Sequence, residues 1–294
     1  MQVAIASFSG MPAEFTDDRR IVEALAARGV EATVLAWDDP EADWSVPRMV
    51  VIRTTWNYAR RREQFVRWCE SLGDRLHNRV ELVRWTSDKR YLGELADAGV
   101  PAVETTYVAP SEPLPELTGE VVVKPNVSAG GRNSGRFGPA AHDLARELIE
   151  AIRASGRIAM IQPYQPSVDT AGETAVLFID GEPVHALRKR AVLRPDEVAP
   201  TRDDGVGAAE VMYDPGLVTP AEAGDDELEL ARAVVAELRR RFDYLPLYAR
   251  VDMIRASGGS PVLLELEAIE PNFYLDQVPS TTPLVVDAIV RRLG

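Results

Sequence analysis

The stretch YARVDMIRASGGSPVLLELEAIEPN, residues 248–272, decides how this chain is read. Two apolar runs flank Gly258 and Gly259, the pattern of a β-hairpin. A turn centred on those glycines sets Asp252 opposite Glu265 and Arg250 opposite Glu267. Alternate strand residues point the same way, so all four side chains share one face. Carboxylates paired directly across a ladder lie roughly 5 Å apart and repel unless a cation neutralises them. A hard divalent ion suits such oxygen donors, and Mg2+ usually combines one or two carboxylates with substrate phosphates. The hairpin therefore predicts a nucleotide–metal site.

Working outward, 294 residues suffice for a sizeable core, in one large or two to three small domains. The net charge of −13 opposes non-specific attraction to nucleic acid or anionic membrane, which leaves small-molecule chemistry. With Cys69 as the single cysteine no internal disulfide forms, and no apolar run approaches the ~20 residues of a membrane span. A cytoplasmic protein is expected, with homodimerisation left open.

Toward the N-terminus, residues 2–8, 31–37 and 49–55 read as strands and residues 17–28 as a helix, the alternation of a parallel α/β layer. Ligands gather at the carboxyl ends of such strands. Arg53, Thr54 and Trp56 sit at one and are expected to bind substrate, Arg53 by a two-bond grip on a carboxylate. Arg202, in the Asp-, Pro- and Gly-rich stretch 194–224, joins that substrate group. Residues 60–72 and 88–98 read as helices. Strands return at 121–124, 159–162, 174–179 and 183–190, with Asp180 and Gly181 turning between the last two. Residues 226–242 form a long helix before the hairpin. Cys69 is expected to be buried, His185 packed in its strand, and His77 and His142 at the surface.

The second chemical feature is VVVKPNVSAGGRNSGR, residues 121–136. A strand ends in Lys124, and a loop of small residues follows whose backbone N–H groups can approach phosphate oxygens. Neither a Walker loop nor a GxGxxG turn after a strand is present, so this is a different kind of phosphate cover.

In this order the parts resemble the ATP-grasp superfamily over nearly the whole chain. Lys89 precedes the central domain on a helix, Lys124 ends a strand, and the small-residue loop follows. Gln162, Pro163 and Tyr164 form a hinge, Gly172 and Glu173 enter a strand, and the acidic hairpin closes the series. Among relatives, the chain is similar to glutathione-synthetase-type ligases. Through Arg53–Trp56, Arg84–Tyr91, His185–Arg190 and Glu265–Pro271 it is also similar to the O-ureido-D-serine cyclo-ligases of cycloserine biosynthesis.

The resemblance implies an α/β (α+β) ATP-grasp fold. Residues 1–84 would form a parallel α/β domain, 85–163 the central lysine and glycine-loop subdomain, and 164–294 the C-terminal subdomain with the hairpin. It implies an ATP- and Mg2+-dependent carboxylate ligase working through an acyl phosphate on a small amino-acid-like substrate. Lys89, Lys124, Ser128, Gly130 and Gly131 would meet the phosphates, Gln162, Pro163 and Tyr164 the adenine, and Glu173 the ribose. Arg188, Lys189 or Arg190, two of them sharing a face, would join Arg250 as catalytic cations. Asp252 and Glu265 would hold the metal, completed by Glu267 or by Asn272, since a Glu-x-Asn also occurs at residues 270–272. A nucleotide-binding sensor that has lost ligation is the competing expectation.

Overall fold

The computed structural model describes residues 1–11, 17–201 and 208–294. The first layer is parallel, as the alternation of strands and helices requires: β1 (Val3–Ser7), β2 (Ala32–Ala36), β3 (Met49–Ile52) and β4 (Leu76–His77) run in the order β2-β1-β3-β4. The apolar runs of β1 and β3 are buried throughout. Helices α1 (Asp18–Ala27) and α2 (Arg62–Leu72) pack on opposite faces, α2 burying Cys69 as expected. His77, expected at the surface, is half-buried, and burial pulls its imidazole down to about 4.

Two short helices follow, α3 (Val80–Thr86) and α4 (Tyr91–Asp97). The central sheet holds β5 (Thr106–Val108), β6 (Val121–Pro125), β7 (Gly135–Phe137) and β8 (Ala159–Pro163), all antiparallel, with α5 (His142–Ala154) on one face. After the short α6 (Ser167–Ala171) the C-terminal sheet begins with β9 (Glu173–Ile179) and β10 (Glu182–Lys189). Asp180 (φ 49°) and Gly181 (φ 81°) make the predicted tight turn between them. The sheet is completed by β12 (Val218–Ala221), β13 (Tyr248–Arg255) and β14 (Pro261–Glu267) in the order β12-β10-β9-β13-β14. Helix α7 (Asp225–Phe242) covers one face, and the last helix, α8 (Thr282–Leu293), returns to α1.

Packing crosses the expected boundaries twice. Leu92 and Leu95 of α4, assigned from sequence to the central unit, bury against Val176, Phe178 and Leu230 in the core of the C-terminal sheet. In the other direction β11 (Glu197–Val198), inside the Gly- and Pro-rich stretch, pairs with β7 and extends the central sheet. Among the described residues no helix is long and apolar enough to cross a membrane.

Candidate active site

The hairpin register is the predicted one where it matters: Asp252 pairs with Glu265 and Arg250 with Glu267. The turn is not centred as expected, because Arg255 pairs with Pro261 and Met253 with Leu263. A bulge that leaves Leu264 unpaired restores the register, and without it Glu265 would face the opposite side. β14 is an edge strand, and the Tyr91 hydroxyl occupies its outer rim, accepting from Leu266 N–H at 2.8 Å and donating to Leu266 C=O at 3.1 Å.

The cation that the repulsion on this face calls for is supplied in part by the protein's own side chains. Arg250 forks onto Asp252 with two 2.9 Å bonds and also touches Glu267. Lys189 Nζ lies 2.5 Å from Asp252 and 3.1 Å from Glu173, its direct cross-strand partner. Lys89 Nζ sits 3.2 Å from Glu265 and donates to Ser128 C=O at 2.7 Å. Lys89 belongs to the turn before α4 rather than to a helix.

The charge balance is uneven. Burial pushes Asp252 up, but Arg250 and Lys189 outweigh it and hold the carboxyl well below the usual range. For Glu265 burial is likewise outweighed, by Lys89 and Lys124, and the net shift is downward. Glu267 is different: burial, reinforced by Asp252 and Glu265, raises it to about 7 despite Arg250. Glu270 rises to about 8 through burial and then Glu267. Two carboxylates are thus held ionised by resident cations and two are raised chiefly by burial, and these hard oxygen donors suit a divalent ion. Among the described residues no three ligand-type side chains already have metal-site geometry. The Asn272 side-chain oxygen accepts from Tyr274 N–H at 2.8 Å, which uses one of its two lone pairs.

Residues associated with all three sheets line one cavity of about 530 Å³. Its lining brings together Lys89, Lys124, Ser128, Gly130, Gly131, Gln162, Pro163, Tyr164, Glu173, Lys189, Arg250, Glu265, Glu267, Asn272 and Trp56. Burial lowers the Lys124 ammonium. Gly130 has φ 63°, and a Cβ there would come 2.7 Å from the Ala208 methyl, so only glycine lets the loop pass this close. Ala209 N–H donates to Gly130 C=O and Ala199 N–H to Ser134 C=O, each at 2.8 Å, tying the loop to the stretch after β10.

Several predicted residues lie elsewhere. Arg53 is buried beneath the cavity, donating to Pro271 C=O at 2.5 Å, pairing with Asp18 at 3.3 Å and stacking 3.5 Å above the Phe273 ring. Thr54 Oγ1 is 2.7 Å from Asp18 and 2.8 Å from Ser7. Neither reaches the cavity wall, because this strand end is roofed by the segment after β14. Of the basic trio only Lys189 faces the cavity. Arg188 turns toward Ala171 C=O and Glu227, and Arg190, past the strand end, is held by Gly216 C=O and Asp214. Arg202 lies outside the described residues. Sequence reading gave no role to Tyr58 and Tyr274, which line the cavity, and saw Glu270 only as part of an alternative Glu-x-Asn; the raised pKa of Glu270 depends on packing that no local pattern records.

A parallel N-terminal layer, two antiparallel sheets and a lysine- and carboxylate-lined cleft define an ATP-grasp protein. The D-cycloserine synthetase DcsG N-terminal domain family matches residues 3–78. The cycloserine biosynthesis protein DcsG of Streptomyces lavendulae is 35% identical over 272 residues, covering 87% of this chain and 86% of that protein. The crystal structure of D-cycloserine synthetase DcsG superposes with a TM-score of 0.88 at 31% identity over the full length of both chains. At the level of fold alone, D-alanine–D-alanine ligase from Bacillus anthracis is similar with a TM-score of 0.69 at 15% identity, covering 100% of this chain and 97% of that one. The chain belongs to the DcsG family of D-cycloserine synthetases. It is an ATP-dependent ligase that forms a carbon–nitrogen bond.

Proposed function

We propose that the protein activates the carboxylate of an amino-acid-like substrate as an acyl phosphate and closes a C–N bond on it, with O-ureido-D-serine as the substrate to be cyclised. The observation that carries this reading is the convergence of Lys89, Lys124 and Lys189 with Glu265 and Glu267 around the Gly130–Gly131 loop in one cavity. Carboxylate and triphosphate repel each other, so catalysis must rest on positioning and on cations that meet the developing charge.

Lys89 and Lys124, with the loop amides, would neutralise and orient the phosphates, and Gln162, Pro163 and Tyr164 would line the adenine. Glu173 would take the ribose hydroxyls once its pairing with Lys189 is shared with nucleotide. Asp252, Glu265 and Glu267 would hold Mg2+, which supplies charge neutralisation at the phosphate oxygens. Lys189 and Arg250 hold the Asp252 carboxylate in place and remain as cations beside the transferred phosphoryl group. A substrate carboxylate oxygen attacks the γ-phosphorus and ADP leaves. The substrate nitrogen then attacks the acyl carbon, phosphate departs, and the nitrogen gives up its proton. Closure of the loop over this intermediate would keep water from it.

The test is incubation with ATP, Mg2+ and O-ureido-D-serine, following ADP and the cyclised product. Substrate-dependent ADP formation matched by ring product is expected. Nucleotide binding without ADP formation, for this substrate and for simple D-amino acids, would contradict ligation and favour a sensor.

A further inference from the structure

Beyond β14 the chain leaves the sheet, and its buried carbonyls lose their ladder partners. Each of the next five is met by a side chain from elsewhere. Asn78 donates to Ala268 C=O at 2.9 Å, and the Tyr248 hydroxyl, shared with Ile52 C=O, lies 2.7 Å from Ile269 C=O. Trp56 Nε1 donates to Glu270 C=O at 3.1 Å, Arg53 to Pro271 C=O at 2.5 Å, and Arg250 to Asn272 C=O at 3.2 Å. Buried carbonyls need donors, so some such set is obligatory. Its consequence is that the backbone of Glu270 is fixed at its own carbonyl by the half-buried Trp56 and at its neighbours by the buried Tyr248 and Arg53.

The side chain so positioned is singular. Every other carboxylate on the cavity wall is met by a protein donor: Asp17 by Leu275 N–H, Glu173 by Lys189, Asp214 by Arg190, Glu265 by Lys89, Glu267 by Arg250 and Asp276 by Arg20. Among the described residues no hydrogen bond or ion pair from another residue reaches the Glu270 carboxylate, which has its own backbone N–H and only the more distant charge of Lys89. The aromatic side chains of Trp56 and Tyr58 line the same cavity, a setting that favours an organic cation.

We propose that Glu270 is the substrate's ammonium-recognising residue, held in place by Trp56, Arg53 and Arg250. The inference rests on the ligase reading above and deepens it by assigning the feature that selects an amino acid over a plain carboxylic acid. The substrate's α-ammonium supplies the positive partner that the protein withholds from this one carboxylate, and the aromatic wall packs beside it. Arg53 and Trp56 then act on substrate through Glu270 and not by direct contact in the case of Arg53.

The test compares O-ureido-D-serine with its des-amino analogue, in which hydrogen replaces the ammonium, using wild type, Glu270→Gln and Glu270→Asp with substrate-dependent ADP formation as the readout. Wild type should prefer the amino substrate on the order of 10- to 100-fold in kcat/KM, the range of one charge-assisted contact. Glu270→Gln should lose most of that preference while its KM for ATP stays within about twofold, and Glu270→Asp should retain part of it. A merely structural residue would weaken both substrates alike. Undiminished preference in Glu270→Gln overturns the proposal, as does a loss confined to Mg2+ affinity. Wild type inactive on both compounds would instead strike the ligase reading itself. Thermal melting of each variant separates a folding failure from either result; if Glu270→Gln does not fold, the preference of Glu270→Asp decides, and an undiminished one overturns the proposal.

Discussion

The two halves of the acidic stretch at residues 252–270 are built on opposite plans. On the hairpin face Asp252, Glu265 and Glu267 are each matched by Arg250, Lys189 or Lys89. A few residues on, Glu270 has a rigidly held backbone and, among the described residues, a carboxylate with no cation in ion-pair contact. The first plan keeps charges together so that metal and phosphates can later exchange with lysines already in place. The second leaves one charge to be completed by substrate. Position is supplied differently as well, by sheet register in the hairpin and by five imported donors in the segment after it.

Breaking the hairpin plan at its most buried point should have the largest effect. Asp252→Asn leaves Arg250 and Lys189 facing each other with reduced compensation, so stability should fall by about 3–5 kcal/mol and turnover should vanish. A denaturant midpoint and an ADP assay check both. This departs from the simple expectation that a metal ligand can be neutralised without harm to the fold. Glu265 is more open, at 31% side-chain exposure, and among the described residues its ion pair is with Lys89, so Glu265→Gln should cost less than about 1 kcal/mol of stability while reducing turnover on the order of 100-fold. A stability loss in Glu265→Gln equal to that of Asp252→Asn would erase the distinction between buried anchor and exchangeable ligand.

The segment after the hairpin should respond more mildly. Arg53→Lys shortens the reach to Pro271 C=O and gives up the planar stack on Phe273, with an expected loss of about 1–3 kcal/mol. The KM for substrate should rise and that for ATP stay nearly constant. Equal damage to both would place Arg53 in the general core and not in the support of Glu270.

The smallest effect concerns pH. An unfolded glutamate titrates near 4.5, whereas Glu270 in the fold is raised to about 8. Between those values the folded chain keeps a proton that the unfolded chain has released. The stability contributed is therefore complete below 4.5 and is lost as pH rises toward 8. Without metal or nucleotide, Glu270→Gln should flatten the decline of the urea midpoint between pH 5 and 8. An unchanged slope would mean that the carboxylate is already ionised through that range.

The hairpin and its partners were legible because they depend on local periodicity: alternation set the shared face of Asp252, Glu265 and Glu267, and a strand followed by small residues marked Lys124 and Gly130. The bulge at Leu264 was not legible, since nothing in an apolar run announces which residue will go unpaired. Arg53 was misplaced for a related reason. A strand end in a parallel layer predicts an open cleft, but the roof over it comes from a segment 218 residues away. Helices α5 and α8 escaped notice, and the role of Glu270 became visible only once the partners of every neighbouring carboxylate could be compared.

The central claim is that these carboxylates divide their labour between metal-bound nucleotide and substrate. Measuring the Mg2+ requirement and the substrate KM of ADP formation side by side in Glu265→Gln and Glu270→Gln tests it most directly. The account predicts crossed effects: Glu265→Gln raises the Mg2+ requirement and leaves substrate KM nearly unchanged, and Glu270→Gln does the reverse. Parallel shifts of both constants in both variants would contradict it.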